Sequence, residues 1–222
     1  MESYQKEFLV YIHARQALRF GSFQTKSGRQ SPYFFNAGGL FDGGDLLRLG
    51  EVYAAAIEQH FGGYVDIIYG PAYKGIPLAV VTASELSRRY GRKVAYCFNR
   101  KEAKDHGEKG TLVGKAPVKG DRIVIVDDVI TAGTSVRETM ELLSGIEGLN
   151  IRGILVALDR QERGLDSQMS ATQEVAAQYG CPVKSVTSMK GVLELLEAGG
   201  FGPVDAELLK RVKAYRAEYG VG

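Results

Sequence analysis

The 222-residue sequence predicts an α/β fold, a mostly parallel central sheet flanked by helices with a small N-terminal appendage. Three observations predict it. Five short apolar runs recur, at Val65–Tyr69, Val94–Phe98, Arg122–Val126, Ile154–Leu158 and, more weakly, Val183–Val186. Most are apolar throughout rather than alternating, and they are rich in β-branched or aromatic residues, as strands buried on both faces are. Helical stretches alternate with them, at 75–90, 134–145, 169–180, 188–198 and 204–219. Strands and helices in this alternation build a parallel sheet. No repeat and no linker-like stretch interrupts the chain, so one domain over residues 1–222 is expected, with residues 1–40 as the appendage.

In chain order, residues 1–19 read as an amphipathic helix, with Tyr4, Phe8 and Ile12 one turn apart. FGSFQTKSGRQSPYFFNAGG alternates aromatics with turn formers and reads as a hairpin turning near Ser27-Gly28, with Pro32 on an exposed strand. Asp42 is placed to cap a helix running to about Phe61, whose buried stripe is Leu46, Leu49, Val52, Tyr53, Ala56 and Ile57. The alternation of strand and helix begins at Val65. His13 and His60 fall on helices without metal-ligand partners at i+3 or i+4 and read as structural or solvent-facing; Cys97 reads as inert packing.

Composition narrows the function classes. With 45% hydrophobic and 24% charged residues, the chain is long enough to bury a core without disulfides or metals. Two cysteines make neither a disulfide framework nor a structural zinc site. The N-terminus lacks the uninterrupted apolar core of a secretion signal, and no run approaches the roughly 20 apolar residues of a membrane helix. A cytoplasmic location without membrane contact is expected. Lys and Arg number 28 against 26 Asp and Glu, a balance of +2 that gives no global case for nucleic acid. The 28 glycines outnumber six prolines with no low-complexity tract to absorb them, which directs attention to tight loops.

Open parallel sheets bind ligands beyond the carboxyl ends of their strands, so the loops there are the candidates. The strongest follows Arg122–Val126: Asp127, Asp128, Val129, Ile130, Thr131, Ala132, Gly133, Thr134 and Ser135, then a helix. Backbone N–H groups at a helix start, with Thr and Ser hydroxyls, cradle a phosphate, and Gly133 lets the backbone approach it. The loop is neither a Walker loop nor G-x-G-x-x-G. Two carboxylates before a monophosphate cradle suit a sugar phosphate, the acids accepting from vicinal ribose hydroxyls. Acids that only cap the next helix are the plainer reading of Asp-Asp taken alone. A second loop, Gly70-Pro71-Ala72-Tyr73-Lys74-Gly75, offers amides and a lysine to another anion, although such turns mostly just reverse the chain. A third segment, Asn99 to Gly110, is almost wholly charged, which usually marks a solvated face. Yet glycines at 107 and 110 suit a lid, and Arg100, Lys101, Lys104 and His106 concentrate cations of the kind that stabilise a developing negative charge.

VIVDDVITAGTS resembles the phosphoribosyl-diphosphate signature of the type I phosphoribosyltransferases. KSGRQSPYFFNAG, YGPAYKGIPLA, YCFNRKEAKDHGEKG and LDRQERG extend the resemblance over essentially the whole chain, to the bacterial members that use orotate. The resemblance implies that fold, with residues 1–40 as a hood over the active site. It implies transfer of ribose 5-phosphate from phosphoribosyl diphosphate to N1 of orotate, with Mg2+ held mainly by substrate and water rather than by protein ligands. It implies a homodimer in which the 100–110 lid serves the neighbouring site. On the same ground Tyr73, Lys74, Arg100, Lys101 and the 127–135 loop hold phosphoribosyl diphosphate, Lys104 and His106 approach its diphosphate, and the 70–75 loop carries a strained peptide bond. Lys26, near both substrates, joins Thr131 and Arg160 in contacting orotate.

Orotate is flat and anionic, so its pocket needs an aromatic face and cations. Phe34 and Phe35 point to opposite sides of a strand, so one stacks on the base and the other packs inward. Arg160, beyond Ile154–Leu158, offers a fork of donors to a carboxylate, and Arg163 reads as a surface ion-pair partner. Of the two acids Asp128 is the better proton acceptor. A sibling enzyme using another nucleobase and a nucleotide-binding regulator of the same fold are the alternatives. Lys26 with Phe34-Phe35 argues against the first, and the near-neutral charge with a complete lid against the second.

Overall fold

In a computed structural model of the chain, every residue is described except Lys26, Gly63, residues 105–109, Ala132, Asp166, Val204 and Gly222; of residues 102–104 and 110 only the backbone is. Helices α1 (Ser3–Ala14), α2 (Gly43–Phe61), α3 (Gly75–Tyr90), α4 (Thr134–Ser144), α5 (Ala171–Tyr179), α6 (Met189–Glu197) and α7 (Ala206–Tyr219) surround two sheets. The smaller pairs β1 (Leu18–Gln24) with β2 (Gln30–Phe35) antiparallel. The larger contains β3 (Ile67–Gly70), β4 (Ala95–Lys104), β5 (Gly110–Gly114), β6 (Arg122–Asp127), β7 (Asn150–Asp159) and β8 (Val183–Ser188), in the order β5-β4-β3-β6-β7-β8. All of its pairings are parallel except β4 with β5.

The apolar runs are strands for the reason their composition gives. Successive side chains point to opposite faces, and both faces are covered. Ile68, Val124, Val126 and Leu155 pack with α2, α3 and α6, whereas Ile67, Ile123, Ile125 and Ile154 pack with α4 and α5. Helix α2 starts where expected. Asp42 accepts the Asp45 N–H at 2.8 Å, and Asp45, fully buried, accepts from Tyr11 and Arg15, tying α1 to α2. Burial alone would raise the Asp45 pKa, but these hydrogen bonds hold it well below the usual carboxylate range.

Three expectations needed correction. The first helix ends at Ala14 rather than near residue 19, because Gln16 turns to a left-handed φ of 58° and Leu18 begins a strand. Pro32 is buried rather than exposed, since α7 packs over β2; a two-stranded sheet has only edges, so the missing N–H need not cost a ladder bond. The charged segment does not begin as a loop at Asn99: β4 continues to Lys104 and pairs with β5, which the apolar pattern did not reveal. An edge hairpin draws its bonds from backbone pairing, so its side chains can be charged.

Candidate active site

Strands β3 and β6 are parallel neighbours, Ile67 opposite Ile123 through Tyr69 opposite Ile125. From them the chain runs in opposite directions, to β4 and β5 on one side and to β7 and β8 on the other. Loops after two such strands diverge and leave a crevice at their carboxyl ends. Both candidate anion loops open there.

The end of β6 is fixed from the core. Tyr53 of α2, fully buried, donates its hydroxyl to the Asp127 carbonyl at 2.7 Å, and the Ala157 N–H of β7 donates to the Asp128 carbonyl at 2.9 Å. Asp127 and Asp128 are each only 6% exposed. The Asp127 carboxylate accepts the Asp128 N–H at 2.9 Å and the Ser135 hydroxyl at 2.8 Å. Burial pushes the Asp127 carboxyl up to about 6, against the pull of those two hydrogen bonds. Asp128 accepts the Val129 N–H at 2.9 Å on Oδ1 and the Lys74 ammonium at 2.6 Å on Oδ2. Lys74 thus joins one candidate anion loop to the other.

Past the acids, Ile130 turns into the core, so only its backbone is available to an anion. Thr131 and Thr134 are exposed and Val129 and Ser135 half-buried. Gly133, at φ 67°, caps α4 and accepts the Arg137 N–H at 2.9 Å; a side chain there would strain the turn. The first N–H groups of such a helix have no intrahelical partner, which suits a phosphate. In the other loop the glycines are required by space. A Cβ on Gly70 would lie 1.9 Å from the Gly75 carbonyl oxygen, and one on Gly75 2.7 Å from the Gly70 carbonyl carbon. The Gly75 N–H closes the turn on the Pro71 carbonyl at 2.9 Å, and Asn99 accepts the Ala72 N–H at 2.9 Å. The Ala72–Tyr73 peptide is cis. Tyr73 is 70% exposed, with the Lys101 ammonium 5.9 Å from its ring centroid. Arg100 is half-buried on the same strand.

On β2, Phe35 packs in the core while the half-buried Phe34 stacks on Phe23, centroids 5.5 Å apart, with the Arg19 guanidinium 5.2 Å away. Arg160 follows β7 as expected, but its fork is taken: Nε and Nη2 both donate to Glu162. Arg163 lies 6.0 Å from the Tyr219 ring centroid, a cation–π contact, and among the described residues it makes no ion pair. His13 hydrogen-bonds the Leu18 carbonyl, and both cysteines are buried and free, as structural readings require. Lys26, Ala132 and His106 lie outside the described residues, as does the Lys104 side chain. Reading the sequence missed Tyr53 as a support of the strand end, Asn99 as the 70–75 loop's tether, and Glu162. Only Glu162 carried a signal, an acid two residues from a candidate arginine.

Among the described residues no helix is long and apolar enough to cross a membrane. The phosphoribosyl transferase domain family matches residues 38–184. The orotate phosphoribosyltransferase of Thioalkalivibrio sulfidiphilus is 53% identical over 222 residues, and that of Vibrio vulnificus 51% over 221, each covering 100% of both chains. Among solved structures, the orotate phosphoribosyltransferase of Francisella tularensis matches 97% of this chain and 100% of its own at a TM-score of 0.85 and 36% identity. At 17% identity and a TM-score of 0.51, an adenine phosphoribosyltransferase of Thermoanaerobacter pseudethanolicus shares the fold alone. Fold, crevice and full-length similarity agree: the chain belongs to the phosphoribosyl transferase domain family, among its orotate phosphoribosyltransferases.

Proposed function

We propose that the crevice between β3 and β6 binds phosphoribosyl diphosphate and that the enzyme, a pentosyltransferase, moves its ribose 5-phosphate to N1 of orotate. The products are orotidine 5′-phosphate, a precursor in pyrimidine nucleotide synthesis, and pyrophosphate. The observation that carries this reading is the meeting of two anion loops at one switch point, joined by Lys74 and Asp128 2.6 Å apart.

The 5-phosphate sits in the 129–135 cradle, including Ala132, against the first amides of α4 and the Thr131, Thr134 and Ser135 hydroxyls. Asp127 and Asp128 accept from the ribose hydroxyls. The diphosphate lies along Tyr73 and Lys74, and its charge draws the exposed Lys74 ammonium off Asp128. The C1–oxygen bond breaks with its electron pair leaving on pyrophosphate, and the N1 lone pair forms the new bond to C1. The sugar carbon becomes cationic in between, so the reaction is accelerated by fixed charge and position. Asp128, released by Lys74, takes the N1 proton where orotate enters protonated.

Mg2+ neutralises the diphosphate when bound. Among the described residues the crevice brings no cluster of metal-ligating side chains together, and Asp127 and Asp128 already accept from Ser135 and Lys74; this fits a hard cation that would be held mainly by substrate oxygens and water. In the hood formed by residues 1–40, Phe34 stacks on the base while Phe35 packs inward, and Lys26, Thr131 and Arg160 contact orotate. Residues 100–110 close as a lid over the neighbouring subunit's site in a homodimer, with Arg100, Lys101, Lys104 and His106 meeting the diphosphate. The enzyme works in the cytoplasm, without nucleic acid or membrane.

Protein, Mg2+, phosphoribosyl diphosphate and orotate are incubated together, and loss of orotate absorbance is followed. Turnover of orotate, but not of adenine, hypoxanthine or uracil, is expected. No loss of orotate, or turnover of another base in its place, overturns the reading.

A further inference from the structure

Arg160 does not face its surroundings with a free guanidinium. Nε donates to Glu162 Oε1 at 3.1 Å, and Nη2 donates to Oε1 at 2.8 Å and Oε2 at 3.1 Å. The same carboxylate accepts the Tyr33 hydroxyl from β2 on Oε1 and the Tyr215 hydroxyl from α7, 3.2 Å away, on Oε2. The Arg160 guanidinium carbon lies 5.2 Å from the Tyr33 ring centroid, and Tyr215 meets Tyr33 edge-on, centroids 5.7 Å apart. Burial first, then the charge of Glu162, raises the Tyr33 pKa well above that of an ordinary phenol, so its hydroxyl remains a donor.

This is a hub rather than an ordinary surface pair. Donors from three distant stretches of chain converge on two oxygens, and only about 10 Å³ of void remains beside them, scarcely room for one water. The 160–163 loop is held from behind as well. Its Arg163 N–H donates to the Tyr219 carbonyl at 2.9 Å, and Gln161 accepts the Val221 N–H at 2.9 Å. Among the described residues Nη1 of Arg160 makes no hydrogen bond.

We propose that Glu162 is a positioning residue for orotate: it locks one edge of the Arg160 guanidinium so that Nη1 is the donor presented to an oxygen of the base, and it ties that aim to the hood through Tyr33. The proposal rests on the reading that Arg160 contacts orotate. A guanidinium held by its edge and stacked on a ring loses little further rotamer freedom when it binds, so the aim is made before the substrate arrives. It also makes hood and base site one unit, because moving Tyr33 moves an oxygen on which Arg160 depends.

Steady-state kinetics in both substrates, with thermal melting of each variant, test this. Glu162→Gln keeps the shape but replaces a charged acceptor of several donors, and should raise the orotate KM about tenfold. Its KM for phosphoribosyl diphosphate and its kcat should stay within about twofold of wild type. Tyr33→Phe and Tyr215→Phe each remove one donor without unpairing a charge, and should raise the orotate KM by a smaller factor; they keep the test usable if Glu162→Gln does not fold. Arg160→Gln should raise the orotate KM at least as much, and combining it with Glu162→Gln should add little further. If KM for both substrates rises equally along with a fall in melting temperature, Glu162 is a structural prop and the proposal fails. If Arg160→Gln weakens orotate while Glu162→Gln does not, positioning fails and the Arg160 contact stands. If Arg160→Gln leaves orotate untouched, the contact itself fails and the proposal goes with it.

Discussion

Asp127 and Asp128 are neighbours with the same side chain and different environments. Asp127 is shut under Ser135, and burial carries its pKa to about 6; Asp128 lies against the Lys74 ammonium. If the Asp127 carboxylate orients ribose, kcat/KM must fall as pH drops through about 6. Ser135→Ala removes a hydrogen bond that favours the charged form, so the acid limb of the pH profile should move upward, by about half a unit to one unit. A limb unmoved in that variant would assign it to another group. Stability has the opposite sign. The folded pKa lies above the ordinary value of 3.8, so the folded chain binds the proton more tightly between the two. The cost of a buried charge is therefore present above pH 6 and relieved as pH falls toward 4. Asp127→Asn should raise the melting temperature near about pH 8 and give no gain near about pH 4, because the neutral acid and the amide are then alike. Equal effects at both would show that burial does not oppose the charge.

The 70–75 loop shows what an element demands of single residues. Gly70 and Gly75 touch across the turn, and a methyl group on Gly70 would sit 1.9 Å from a backbone oxygen that cannot swing aside. Gly70→Ala should push the loop from β3 and cost about 1–3 kcal/mol of stability. If the 70–75 loop holds the diphosphate as proposed, the substitution should also raise the KM for phosphoribosyl diphosphate more than that for orotate. Both KM values unchanged in a folded variant would remove this loop from the site. The elements themselves were largely legible. Helix α3 covers the expected 75–90, because apolar spacing sets its face and Gly91, in a left-handed turn, stops it. The sheet core was legible because strands covered on both faces have few polar positions. The β4–β5 hairpin was not, since backbone pairing at an edge leaves no mark in side-chain pattern. For the site the distinction is similar. Asp127 through Ser135 announce themselves by type and order. That Lys74 meets Asp128 across 54 residues, or that Tyr33 reaches Glu162 across 129, depends on how the two sheets bring the chain together.

Over the whole molecule the balance of +2 is a poor guide, because cations and anions are distributed unevenly. Lys74 stands in the crevice, Lys101 lies above Tyr73, and β4 carries Arg100 and Lys101 outward toward the charged segment that ends at β5. A diphosphate gains charge as it leaves, so if residues 100–110 close as the proposed lid, a cation arriving with them stabilises the transition state more than the bound substrate. Lys104→Ala should then lower kcat far more than it weakens phosphoribosyl diphosphate binding, and a parallel loss of both would deny the lid that role. Which site the proposed lid would serve depends on the proposed homodimer, and the two alternatives separate cleanly. An Asp128→Ala chain has a damaged crevice and an intact lid; a Lys104→Ala chain has the reverse. If each lid crosses a two-fold interface, a heterodimer of the two contains one crevice and one lid that are both intact. It should then recover about half the activity of a wild-type dimer. If each lid closes over its own crevice, both sites of the heterodimer are damaged and mixing restores nothing. Turnover by purified, differently tagged heterodimers decides between them: recovery places the lid of one subunit over the crevice of the other, and its absence confines each active site to a single chain.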